Sequence, residues 1–81
     1  MIQTFFEIEG EHYKLKYQRI KTDDGELYQG ILFFKNAIAF SYTVKKDKTI
    51  FFDNKLLDEN FQKLIVKVIE RREKVRQQNA M

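Results

Sequence analysis

The chain has 81 residues, 43% of them hydrophobic and 33% charged, a balance that suits one globular core and argues against a disordered or membrane-spanning chain. That length allows a single domain over residues 1–81 and leaves no room for a cofactor fold. With no cysteine, disulfides, thiolate metal sites and thiol nucleophiles are excluded together. The segment Met1-Ile2-Gln3-Thr4-Phe5 has neither a basic stretch nor an apolar run, so a cytoplasmic location is expected.

The net charge of +3 is unevenly placed. Residues 62–76 carry Lys63, Lys67, Arg71, Arg72, Lys74 and Arg76 against Glu70 and Glu73, a net of +4, while everything before them sums to −1. Positive charge is therefore a property of one element.

Ile2 to Ile8 reads as a first strand, closed by Glu9-Gly10-Glu11, where Gly10 supplies the positive φ of a tight turn. His12 to Ile20 alternates, with Tyr13, Leu15 and Tyr17 on one face and Lys14, Lys16 and Gln18 on the other, the pattern of a half-buried strand. The Asp24-Gly25 step signals a hairpin into a third strand, Leu27 to Phe34. Lys35-Asn36 turns the chain again, with Asn36 expected at positive φ. Ala37 to Val44 is the fourth strand, and Thr49 to Phe52, after Lys45-Lys46-Asp47-Lys48, is a short fifth strand suited to an edge.

A helix over about 57–77 follows, capped by Asp58, with Asp53 and Asn54 as earlier possible starts. Leu57, Phe61, Leu64, Ile65, Val68 and Ile69 fall on one arc, and Lys63, Lys67, Arg71 and Lys74 on the opposite one. Such a helix is about 31 Å long against about 20 Å for strands of five to seven residues, so its last two turns are expected to overhang the sheet. Arg72 sits at the centre of the buried arc there, with Val75 and Arg76 beside it. The fold expectation is α+β: about five antiparallel strands in a meander, with one long C-terminal helix on the face of Tyr13, Leu15, Tyr17, Ile38, Phe40 and Tyr42. Strands followed by a long helix resemble the element order of transcriptional-coactivator-type single-strand binders; no motif of that family is matched, and no function is carried over.

Three Phe-Phe pairs, Phe5-Phe6, Phe33-Phe34 and Phe51-Phe52, lie inside strands, so each puts one ring on either side of the sheet. One helix covers one face. The surplus rings are Phe5, one of Phe33 and Phe34, taken as Phe34, and Phe51, each worth roughly 150–250 Å² when buried. Either the sheet curls toward a barrel around them, or a second copy or protein partner covers them, or they form a stacking platform for nucleic acid.

No residue set points to catalysis. His12 and Ser41 are each the only residue of their type and lie in no nucleophile or metal spacing; Glu7, Glu9 and Glu11 read as a solvated rim, and Asp23-Asp24-Gly25-Glu26 as turn chemistry without a calcium-loop spacing. The expectation is a non-enzymatic interaction module, a homodimer or an inhibitor or accessory protein of the kind found in viruses and mobile elements, with no cofactor, metal, membrane or small-molecule substrate. Phe5, Phe34, Phe51, Arg72, Val75 and Arg76 are its candidate interface. The alternative is nucleic-acid binding through Lys63, Lys67, Arg71 and Lys74, a stripe interrupted by Glu70, together with the sheet aromatics.

Overall fold

The computed structural model describes residues 1–53 and 57–79, the last three as helix backbone only. Five strands, β1 (Ile2–Ile8), β2 (Glu11–Thr22), β3 (Gly25–Phe34), β4 (Asn36–Lys45) and β5 (Ile50–Phe52), precede one helix, α1 (Glu59–Asn79). They form one antiparallel sheet in the order β1-β2-β3-β4-β5, the expected meander. β1 and β5 are not paired with each other, so the sheet stays open and does not close into a barrel.

Local chemistry accounts for the turns, with two shifts from expectation. Glu9 and Gly10 both take positive φ, 51° and 82°, as a two-residue hairpin turn that follows the sheet twist requires. At the third turn Lys35, with φ 59°, and not Asn36, takes the left-handed position. Thr22 pairs with Gly25, so the loop is Asp23-Asp24 and Gly25 already belongs to β3. Its φ of 155° and the close pass of β4 account for the glycine, since a Cβ there would stand 2.0 Å from the Val44 carbonyl oxygen.

Strand register assigns every ring to a face. Rows such as Phe6–Tyr13, Leu15–Leu32–Ile38 and Tyr28–Tyr42–Phe52 share one side, and α1 packs there. Two ring ladders run across the strands beneath it. Tyr13 stacks between Phe6 and Phe34 at 5.0 and 4.4 Å, and Tyr42 between Tyr28 and Phe52 at 5.0 and 4.8 Å. Gly30 separates the ladders in the row Tyr17–Gly30–Phe40, and its missing side chain is the space the Phe40 ring occupies. With Ile65, Ile69, Leu57 and Val66 from the helix segment, these residues form the core.

Asp58 caps α1 as expected: its carboxylate accepts from the Phe61 amide at 2.9 Å and its carbonyl from the Gln62 amide at 3.0 Å. Asp53 instead closes β5, its amide donating to the Ser41 carbonyl and its carboxylate accepting from the Ser41 hydroxyl. Asn54 lies outside the described residues. The overhang is expected against strands of five to seven residues, but β2 has 12, roughly 36 Å of strand. The packed arc is also rotated toward Val66 and Glu73: Ile65, Val66, Ile69 and Glu73 are buried and Arg72 is exposed.

Candidate functional site

Among the described residues, nothing covers the side of the sheet away from α1. Phe5, Phe33 and Phe51 stand there, while Phe6, Phe34 and Phe52 lie on the helix side, so all three Phe-Phe pairs divide the same way. Phe34, placed by sequence among the surplus rings, is therefore on the covered face, stacked on Tyr13; Phe33 takes the open position. One residue of parity decides this, and the pairing of Phe34 with Asn36 across a one-residue turn sets it.

On the open face the rows are Phe5–Lys14–Phe33–Ala37, Gln3–Lys16–Ile31–Ala39, Gln18–Gln29–Ser41 and Ile20–Leu27–Thr43–Phe51. Phe5 is 67% exposed and Phe51 49%. They occupy opposite corners, three rows and four strand spacings apart, or about 28 Å. The polar row Gln18–Gln29–Ser41 runs between them, with the Gln18 amide donating to Gln29 at 3.3 Å. Two patches result instead of one continuous surface: Phe5, Phe33 and Ile31, and Phe51, Leu27 and Ile20. Lysine stems lie over the rings, with the Lys14 ammonium 4.6 Å and that of Lys16 5.9 Å from the Phe33 centroid, and that of Lys45 4.9 Å from Phe51.

A second surface lies on the helix side, where α1 leaves the β3–β5 half of the sheet partly uncovered. A groove of about 660 Å³ runs over Tyr28, Tyr42 and Val44 and is walled by Lys67, Glu70, Arg71, Glu73 and Lys74 of the helix and Lys48 of the β4–β5 turn. A neighbouring space of about 410 Å³, which shares Lys67 and Glu70 with it, lies over Ile50 and Phe52 beside Lys63 and Val66. The basic stripe thus flanks the sheet instead of pointing directly away from it. Lys63 pairs with Glu59 at 3.8 Å, whereas Lys67, Arg71 and Lys74 have no ion pair among the described residues. Lys48, which sequence pattern alone marks as a turn lysine, joins them on the rim.

The third feature is a polar cluster that sequence pattern did not single out. Glu73, 6% exposed, accepts from the Tyr17 hydroxyl at 2.9 Å, from Arg76 at 2.7 Å and from Arg19 at 3.3 Å. Arg19 also pairs with Glu26 at 2.9 Å, and Glu26 accepts from the Tyr28 hydroxyl at 2.8 Å. Burial pushes the Glu73 pKa upward, but the hydrogen bonds from Arg76, Tyr17 and Arg19 outweigh it and hold the carboxyl below its usual range. Burial first, and the neighbouring carboxylates second, raise the Tyr17 and Tyr28 hydroxyls. No buried side-chain oxygen or nitrogen lacks a partner among the described residues. Every group in the cluster is thus engaged, which is the arrangement of a clamp joining the helix to β2. The signal that marks it in the sequence is the i+4 step from Ile65 through Ile69 to Glu73.

The candidate interface set is thereby divided between two layers. Phe5 and Phe51 lie on the open face; Arg72, Val75 and Arg76 belong to the helix on the other side, with Arg76 turned onto Glu73 and Val75 40% exposed. Glu7 faces His12 at 3.8 Å on the exposed rim. Among the described residues no group of three His, Asp or Glu could hold a metal ion, and no helix is long and apolar enough to cross a membrane. In comparisons with known proteins the chain matches no family model, no curated protein and no solved structure.

Proposed function

We propose that the protein is a non-enzymatic interaction module that works through protein contacts, either as a homodimer or as an accessory that binds another protein. The observation that carries this reading is the bare sheet face, onto which each Phe-Phe pair directs one ring. Phe5 and Phe51 are left largely in water there, and among the described residues no element lies over them. Covering one such ring removes on the order of 150–250 Å² of mostly apolar surface from water, at about 25 cal/mol per Å². The closed Glu73 cluster supports the same reading, because its hydrogen-bonding capacity is spent on holding the fold.

Light scattering together with binding of an apolar fluorescent dye tests it. The expected result is a solution mass above 9.8 kDa or clear dye binding, either of which falls in the double variant Phe5→Glu/Phe51→Glu. A strict monomer that binds no dye refutes the reading. A specific observation favours a second one: Lys67, Arg71 and Lys74, without ion-pair partners among the described residues, rim one groove with Lys48. Binding of a single-stranded oligonucleotide that weakens steeply with salt and is lost in Lys67→Glu/Arg71→Glu would establish that alternative.

A further inference from the structure

The two edges of the sheet are treated differently. β5 is three residues long and follows a turn with three lysines, both of which discourage pairing with another strand. β1 has none of these devices. It is seven residues, Ile2-Gln3-Thr4-Phe5-Phe6-Glu7-Ile8, with no proline, lysine or arginine and one charge. It runs in unbroken register with β2 from Ile2↔Tyr17 to Ile8↔Glu11, so no bulge twists it away. Its other edge has no strand or backbone hydrogen-bond partner among the described residues. A row of amide and carbonyl groups is left open there, beside the 67%-exposed Phe5.

We propose that this edge binds a second copy of itself, β1 against β1 in antiparallel register, making one ten-stranded sheet across a two-fold axis at Phe5. The proposal rests on the protein-contact reading above and names its partner. The sequence of β1 is self-complementary in one register. Pairing all seven residues requires opposed residue numbers to sum to ten, which sets Phe5 against Phe5, Thr4 against Phe6, Gln3 against Glu7 and Ile2 against Ile8. Members of each pair are both odd or both even, so they share a face in the extended sheet.

The chemistry of each pair agrees. On the open face two Phe5 rings meet, and each Glu7 lies opposite a neutral Gln3 instead of another carboxylate. On the helix side Ile2 meets Ile8 and Phe6 lies beside Thr4, covering three residues that are only half-buried at the rim of each core. Shifting the register by two residues leaves fewer pairs and sets Phe5 against Glu7 or Gln3. Because the same patch serves both copies, the assembly closes at two.

The absence of cysteine allows a direct test of register. Residues directly opposed across an antiparallel pair have Cα atoms about 4.5–5.5 Å apart, inside the roughly 4.4–6.8 Å that a disulfide spans. Under mild oxidation Phe5→Cys is expected to give a covalent dimer of twice 9.8 kDa. Gln3→Cys and Glu7→Cys alone are expected not to, since like positions lie roughly 13 Å apart in this register, whereas mixing those two variants gives the cross-linked pair. Phe5→Lys, which sets two ammonium groups face to face, is expected to leave a monomer with an unchanged circular dichroism spectrum. Wild-type protein that dimerises, but whose Phe5→Cys does not cross-link and whose Phe5→Lys stays dimeric, refutes the edge and leaves the protein-contact reading standing. A monomeric wild type refutes the edge as well, and the dye measurement then decides the reading beneath it.

Discussion

Replacing Glu73 by alanine tests the account of what holds the helix to the sheet. Three donors lose their acceptor, but not at equal cost. The Tyr17 hydroxyl, on a fully buried ring, is stranded, which costs about 1–3 kcal/mol. Arg19 keeps Glu26 at 2.9 Å, and the half-exposed Arg76 is rehydrated, so neither becomes an isolated buried charge. The expected loss therefore lies at the low end for breaking a buried pair, about 3 kcal/mol. For a domain of this size that lowers the melting temperature by roughly 12–24 °C. Urea denaturation followed by circular dichroism, on Glu73→Ala, Tyr17→Phe and the double variant, is expected to give a coupling of about 1 kcal/mol or more between the two sites. A cost for Glu73→Ala below about 0.5 kcal/mol, the level of an ordinary surface change, would show that the clamp does not hold the helix.

Gly30→Ala is expected to destabilise by about 1–3 kcal/mol, because its Cβ would stand 2.1 Å from the Lys16 carbonyl oxygen and 2.7 Å from the Phe40 ring; thermal melts measure it. Adding Phe40→Leu relieves the ring but not the carbonyl, so full rescue would contradict this explanation. The folded-state pKa of Glu73 lies below the ordinary carboxylate value of 4.5, so its stabilisation is present above that pH and is lost as pH falls toward the folded value. Glu73→Gln is therefore expected to flatten the loss of stability below about pH 5. Tyr17, Tyr28 and Tyr42 are raised above the ordinary 10.0, mainly by burial, so stability is expected to fall as pH rises past 10, with tyrosinate absorbance appearing together with unfolding.

Strand count, meander order and the covered face were legible because alternation in β2 and β4 is clean and each turn carries its own chemistry. The length of β2 was not. Its outer residues, Lys21 and Thr22, are exposed and show no alternation against a core, so only pairing with Glu26 and Gly25 extends the strand. The helix phase is hidden for a related reason. An apolar wheel treats Glu73 as a solvent residue, and nothing local to the helix reveals that Tyr17 and Arg19, 56 and 54 positions earlier, complete its hydrogen bonds.

The Phe-Phe pairs show how far such reasoning reaches. Period-two geometry requires that each pair divide between the faces, and that much follows from sequence. Which member goes where depends on register: Tyr13 had to find Phe6 on one side and Phe34 on the other for the ladder to form. Once that ladder is set, Phe5 and Phe33 have no place in the core. Phe5 then falls at the centre of β1, the longer of the two edge strands among the described residues, and is the residue about which the seven residues of that strand can pair with themselves. Stacking within one copy thus leaves exposed the ring on which pairing between two copies would turn.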